Sequence, residues 1–151
     1  MNYTDLIDEA TQNGLTVKEK PFRAYDGRIK GNRIYIRKDM PTIQNACVLA
    51  EELGHASTTH GDIINQESID DIKQENRARL WAYNKMVGLQ GIVDAFKHGC
   101  RSRYEMAEYL EVTEEFLVEA LDKYRSKYSP FVIIDNYIIY FEPHIGVMEM
   151  L

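Results

Sequence analysis

The chain has 151 residues, of which 44% are hydrophobic and 28% are charged; this composition excludes an intrinsically disordered protein and predicts one hydrophobic core. The formal net charge of −6 argues against direct nucleic-acid binding, which relies on Lys and Arg, and favours a protein or small-molecule partner. Two cysteines cannot form a disulfide framework, and the first residues lack the basic and apolar regions of a signal peptide. No apolar run reaches the roughly 18 to 20 residues of a transmembrane helix. These features predict a cytoplasmic protein that does not insert into a membrane.

The first third of the chain predicts a short helix, two strands and a longer helix. Thr4 is a suitable N-cap for a helix that ends near Gln12. Residues 15–20 form a possible strand. After two glycine-containing turn signals, Arg33–Arg37 alternates charged with apolar or aromatic side chains, as a half-buried strand does. Pro41 then opens a helix whose apolar residues recur at helical spacing.

This helix contains the most informative pattern of the chain, Glu-Glu-Leu-Gly-His at residues 51–55. The zinc-protease motif His-Glu-x-x-His places two metal ligands one helical turn apart, with a Glu beside them as general base. Here Glu51 replaces the first histidine and still offers a carboxylate oxygen, while Glu52 and His55 occupy the positions of the base and the second ligand. Successive helical residues are rotated by about 100°, so Glu52 points away from the line of the two ligands and can reach a water molecule on the metal.

A second long helix is predicted from Ser68 to about Gly88, and Glu75 lies close to its apolar side, which is formed by Ile69, Ile72, Leu80, Tyr83 and Val87. A carboxylate beside apolar side chains is costly to bury unless a cation or a basic group pairs with it. The 19 residues between His55 and Glu75 leave room for a loop that returns Glu75 to the first helix. Catalytic zinc sites commonly have three protein ligands and a water whose pKa falls to about 7. We therefore predict that Glu51, His55 and Glu75 bind Zn²⁺ and that Glu52 takes the proton of the attacking water.

Other residues leave alternatives open. His60 could replace Glu51 as a ligand if the motif helix ends early. Adjacent glutamates are also typical of a solvated helix face, and a single histidine is also typical of a protein core. Cys47 lies on the motif face but is more typical of apolar packing. Nearby rivals of Glu75 are Glu67, Asp70 and Asp71. Residues for which the sequence indicates no partner are His98, Cys100 and His144.

Residues 89–128 contain a helix-turn-helix-like pattern with its turn at Val112 and Thr113. The second helix of this pair would begin with Glu114 and Glu115, which places carboxylates where a DNA-reading helix meets bases and phosphates. Thr113 as an N-cap followed by acidic residues is ordinary helix stabilisation. The pattern therefore predicts core packing or partner docking.

The tail, residues 131–141, reads as two β-rich runs around an Asp-Asn turn and predicts a hairpin. This hairpin could join the strand Arg33–Arg37. An edge of such a sheet could hold an extended substrate by adding it as a further strand.

The chain resembles the ImmA/IrrE family of phage- and mobile-element-associated metallopeptidases. The resemblance lies in the strand Arg33–Arg37, in residues 48–55, in Gly-Asp-Ile at 61–63 and in Gln-Glu-Asn-Arg-Ala-Arg-Leu-Trp-Ala at 74–82. Family members typically have a His-Glu-x-x-His helix followed by a second helix that bears a Glu ligand. The resemblance implies a zinc-dependent endopeptidase that cleaves a helix-turn-helix repressor encoded beside it. Glu51 is the departure from the family motif.

We therefore predict a single metallopeptidase-like domain over residues 1–151 with a mostly helical α+β fold. A zincin-like motif helix and a second ligand helix would pack on a small β-sheet, followed by C-terminal helices and a β-hairpin. The predicted function is cleavage of a phage-type repressor to relieve repression. The alternative is a catalytically degenerate anti-repressor that acts by binding the repressor. A third possibility, an architectural or DNA-binding protein, is disfavoured by the acidic composition.

Overall fold

The computed structural model describes residues 1–58 and 68–151, with residues 68–70 described through their backbone alone. Within these residues the fold is mixed α+β and mostly helical, as predicted. Its internal contacts divide the chain into two compact units, Met1–Lys85 and Met86–Leu151. The single-domain organisation stays a prediction. Among the described residues, no helix combines the length and the apolar character that crossing a membrane requires.

The described residues of the first unit form three helices and one sheet. Its elements are α1 (Tyr3–Gln12), β1 (Thr16–Lys20), β2 (Gly27–Lys30), β3 (Arg33–Arg37), α2 (Thr42–Thr58) and α3 (Ser68–Met86). The strand order is β1-β3-β2, with β1 parallel and β2 antiparallel to the central β3. The predicted strand Arg33–Arg37 is thus confirmed. β2 is an edge strand that the sequence analysis missed, because its four residues lie between two turn signals.

One face of this sheet packs on the motif helix. Ile34 and Ile36 of β3 are completely buried, and α2 contacts both β2 and β3. From the helix side, Leu49, Ala50 and Leu53 are buried. The helix begins directly after Pro41, as predicted. This packing fixes the rotation of α2 about its axis and therefore the direction of the motif side chains.

The first helix is capped by Asn2 and not by Thr4, so the predicted cap is wrong by two positions. The side-chain oxygen of Asn2 accepts a hydrogen bond of 2.9 Å from the backbone N–H of Asp5, and the Asp5 carboxylate accepts one of 3.3 Å from the Asn2 N–H. This reciprocal capping box satisfies two donors, whereas a threonine cap satisfies one.

The second unit contains α4 (Gly88–His98), α5 (Arg103–Leu110), α6 (Glu114–Tyr128), β4 (Phe131–Ile134), β5 (Tyr137–Tyr140) and β6 (Gly146–Glu149). Thr113 caps α6 as predicted, by accepting a hydrogen bond of 3.1 Å from the Phe116 N–H. The predicted hairpin is confirmed as β4 and β5. The expectation that it joins the strand Arg33–Arg37 is wrong, because β4, β5 and β6 form an antiparallel sheet of their own.

Candidate metal centre

Helices α2 and α3 bring His55 and Glu75 into contact. His55 lies in the last turn of α2, and its Nε2 atom is 3.0 Å from Oε2 of Glu75. The His55 side chain is 25% exposed and that of Glu75 is 40% exposed. A ligand can therefore reach this pair from solvent. Two of the three residues predicted to share a metal ion are neighbours in the structure.

Gly54 allows the two helices to approach so closely. A Cβ atom at this position would overlap the carbonyl group of Ala78, since it would lie 3.0 Å from the carbonyl carbon and closer still to the oxygen. Ala78 is itself completely buried. Gly54 directly precedes His55 in α2, so this close contact between the helices lies next to the candidate ligand.

Arg79 orients the Glu75 carboxylate. Its Nε atom lies 3.1 Å from Oε1 of Glu75, one helical turn away on α3. One oxygen of Glu75 is thus held by Arg79, and the other faces His55. Carboxylates that bind metals are commonly hydrogen-bonded in this way by a further group. Arg79 is not among the predicted site residues, although its position four residues after Glu75 is the spacing of an ion pair on a helix.

Glu52 has an unusual protonation equilibrium. Burial of its side chain, followed by the Glu51 and Glu75 carboxylates, raises the pKa of Glu52 from 4.5 to about 7. A carboxyl group with a pKa near 7 can accept and return protons at neutral pH, as a general base must. Glu52 therefore has the pKa that a base at neutral pH requires, and it lies within electrostatic range of Glu75.

The same carboxylates act on Arg79. Burial, the largest single cause, lowers the pKa of the Arg79 guanidinium, but the charges of Glu75, Glu51 and Tyr83 together with the hydrogen bond to Glu75 outweigh it, so the net change is upward. Glu51 thus acts electrostatically on both Glu52 and Arg79. Carboxylates that crowd one place favour a bound cation, because a cation relieves their mutual repulsion.

The backbone of the edge strand β2 passes beside Glu52. A Cβ atom at Gly27 would lie 2.5 Å from Cγ1 of Val48, one helical turn before Glu52, and 3.2 Å from Cγ and 3.3 Å from Oε1 of Glu52 itself. Glycine is needed here because a larger residue would push the strand away from the helix. Gly27 belongs to one of the two predicted turn signals, and its position beside the candidate base is evident only once β2 is known.

The distance between two of the predicted ligands is close to that expected for a shared metal ion. Zinc bonds of about 2.0 to 2.1 Å in tetrahedral geometry place neighbouring ligand atoms about 3.3 Å apart, and the His55–Glu75 contact of 3.0 Å is close to that separation. Over residues 1–58 and 71–151, however, no group of three or more His, Cys, Asp or Glu could hold a metal. The structure thus brings His55 and Glu75 together without adding Glu51 to form a group of three.

The alternative ligands are distributed as follows. His60, Glu67 and the side chain of Asp70 lie outside the described residues, and Asp71 is exposed. Cys47 and Cys100 are buried. His98 stacks on Tyr109 with 4.6 Å between the ring centroids.

One comparison with known proteins identifies a family for this chain. Residues 10–122 match the family model described as the IrrE N-terminal-like domain, peptidase M78. The matched range covers most of the chain and includes Glu51, Glu52, His55 and Glu75. The search of curated proteins finds no match.

Proposed function

Because the chain belongs to the IrrE N-terminal-like family of M78 peptidases, we propose that it is a zinc-dependent endopeptidase with a protein substrate. Glu51, His55 and Glu75 are the proposed metal ligands, and Glu52 is the proposed general base. The observation that carries the proposal is the 3.0 Å contact between His55 and Glu75. The proposed substrate is a phage-type helix-turn-helix repressor, whose cleavage would relieve repression.

Zinc, when bound, supplies Lewis-acid chemistry, which polarises a peptide carbonyl and lowers the pKa of water to about 7. Glu52 accepts a proton from the water that attacks the carbonyl carbon. It then returns the proton to the leaving nitrogen as the C–N bond breaks. Arg79 keeps the Glu75 carboxylate turned towards His55.

The edge strand β2 offers a place for an extended substrate. Among the residues that the structure describes, one side of β2 pairs with β3 and no strand pairs with its other side, where an added strand could therefore form backbone hydrogen bonds. Gly27 at the start of β2 lies beside Glu52. A substrate paired with β2 would therefore run past the proposed base.

The decisive experiment is cleavage of the repressor encoded next to this protein, with zinc present. We expect the wild type to cleave it and Glu52→Gln to cleave it at least about 100-fold more slowly, since a general base contributes roughly 10² to 10⁴ in rate. Glu108→Gln is the matched control, because Glu108 is exposed on α5 and the change removes the same charge. Undiminished cleavage by Glu52→Gln would contradict the assignment of the base.

One observation favours the second candidate function, an anti-repressor that binds without cleaving. Glu51 is not part of a three-residue metal group among the described residues. If this function is correct, the wild type binds the repressor equally well with zinc or with a chelator, leaves it intact, and retains no zinc after dialysis. One retained zinc ion per chain together with cleavage would exclude it.

A further inference from the structure

The sheet of the first unit has a second face, which points away from α2. Because Ile34 and Ile36 face the helix, Arg33, Tyr35 and Arg37 project from the opposite side of β3. The strand register adds the neighbouring side chains from β1 and β2 to this side. We call this surface the basic face; its residues are Lys18, Lys20, Arg28, Lys30, Arg33, Tyr35 and Arg37.

The positive charge of the basic face is concentrated and largely uncompensated. Residues 16–38 contain 8 of the 18 Lys and Arg of the chain but only 2 of its 24 Asp and Glu. Of those two acids, Glu19 faces α2, where its Oε1 lies 3.4 Å from Nδ2 of Asn45. Asp26 pairs with Arg37 at 3.2 Å. Within residues 16–38, one acid therefore offsets the six cations of this face.

Like charges stand directly opposite each other on adjacent strands. Lys20 pairs in register with Arg37, and Lys30 with Arg33. Such cross-strand pairs destabilise a sheet. A bound anion would reduce the repulsion between these cations. Because the like-charged pairs are spread over the sheet, a ligand with several negative charges would fit them best.

Aromatic rings lie among these cations. A cleft of about 320 Å³ is lined by three cations and three rings: Lys20, Arg28, Lys30, Phe22, Tyr25 and Tyr35. The Lys20 Nζ atom lies 5.8 Å from the centre of the Tyr35 ring, and the Arg28 guanidinium lies 5.4 Å from that of Tyr25. The rings of Phe22 and Tyr25 contact each other at 4.7 Å. Any ligand of this cleft meets both positive charge and aromatic surface.

We propose that the basic face binds single-stranded nucleic acid. Lys and Arg would neutralise phosphates, and the rings of the cleft would stack on bases. Sheet surfaces with exposed aromatic residues recognise single strands in this way, and the combination of cations and rings is typical of such sites. A duplex fits less well, because its bases are already stacked on each other. An acidic protein segment would satisfy the cations but not the rings.

The binding test uses the full chain and fluorescein-labelled dT12, measured by fluorescence anisotropy, with U12 as the RNA counterpart. If four phosphates are neutralised, the affinity falls about 50-fold between 50 and 200 mM salt, from a slope of about −0.7 per contact. Arg28→Gln/Lys30→Gln should weaken binding at least about tenfold and make the slope shallower by about 1.4. Lys123→Gln/Lys127→Gln on α6 removes the same charge elsewhere and should leave both unchanged.

A second variant tests the stacking. Tyr35→Leu should weaken dT12 binding by roughly 5- to 150-fold, the equivalent of one lost base-stacking contact. Decaglutamate, which carries charge without rings, should compete poorly with dT12. The proposal is overturned if dT12 and U12 fail to bind at 50 mM salt, if Tyr35→Leu binds dT12 as well as the wild type does, or if decaglutamate competes as well as unlabelled dT12, which would indicate an acidic protein partner. Thermal unfolding of each variant verifies that it is folded.

Discussion

The ionised Glu52 side chain should destabilise the metal-free protein at neutral pH. Its pKa is raised from 4.5 to about 7 by burial and by the Glu51 and Glu75 carboxylates, so the folded protein binds this proton more tightly than the unfolded chain does. The free energy of unfolding therefore falls as the pH rises from about 4.5 to about 7, and the loss is complete above that range. Replacing the carboxyl group by a neutral amide in Glu52→Gln should remove this loss.

The size of the effect follows from the pKa. One pKa unit corresponds to 1.36 kcal/mol, so a change from 4.5 to about 7 corresponds to about 3 kcal/mol. Partial exposure of the side chain to water reduces this to about 2 to 3 kcal/mol. At pH 5 most of the loss has not yet occurred. The stability advantage of Glu52→Gln should therefore grow by about 2 kcal/mol between pH 5 and pH 8.

Urea unfolding with a chelator present, at pH 5, 6, 7 and 8, measures this difference. Glu108→Gln should show no such pH-dependent difference from the wild type, because Glu108 is exposed. Zinc should reduce the advantage of Glu52→Gln, because a nearby cation lowers the pKa of Glu52. A difference between Glu52→Gln and wild type that stays constant from pH 5 to pH 8 would refute the raised pKa and, with it, the electrostatic description of the site.

Two further changes test the contacts that position the site. Gly54→Ala should lower the free energy of unfolding by about 1 to 3 kcal/mol because its methyl group overlaps the backbone of α3; Gly146→Ala, with nothing within 4 Å of the added methyl, should leave it unchanged in the same urea titration. Arg79→Met should weaken zinc binding by roughly 10-fold or more, measured by competition with a chromophoric chelator, because Glu75 loses the group that orients it. Arg77→Met is its control, and equal zinc affinities for the two variants would contradict this role.

The elements that could be predicted from the sequence are those whose pattern matches their own geometry. The alternation in Arg33–Arg37 has the period of a strand, and it correctly identified β3. The apolar spacing after Pro41 has the period of a helix, and it correctly identified α2. The motif positions within α2 followed directly, because spacing along a regular helix determines which side chains share a face.

The packing of α3 could not be predicted in this way. Ile72 was expected on the apolar side but is 60% exposed, whereas the small residues Ala78 and Ala82 are completely buried. Hydrophobicity alone predicts that isoleucine is buried in preference to alanine. Close approach of α3 to Gly54 instead favours small side chains at the contact.

The basic face was missed because net charge averages over the whole surface. The value of −6 gave no indication that six cations lie together on one side of a sheet. Recognising this requires the pairing of β1, β2 and β3, since the cations are brought together by register and not by sequence proximity. The short strand β2, hidden between turn signals, contributes two of them.

Strand β2 contributes to both proposed sites. Its successive side chains point to opposite faces of the sheet, so each site can be changed without changing the other. Gly27 and Ile29 face α2, with Gly27 beside Glu52, while Arg28 and Lys30 belong to the basic face. Replacing Arg28 and Lys30 by glutamine changes only the outward-facing side chains, so the surroundings of Glu52 are preserved. Cleavage retained by a variant that no longer binds dT12 would establish that peptidase chemistry does not depend on the basic face. Loss of cleavage in Glu52→Gln with full dT12 binding would establish the converse, because the two faces of one four-residue strand have no side chain in common.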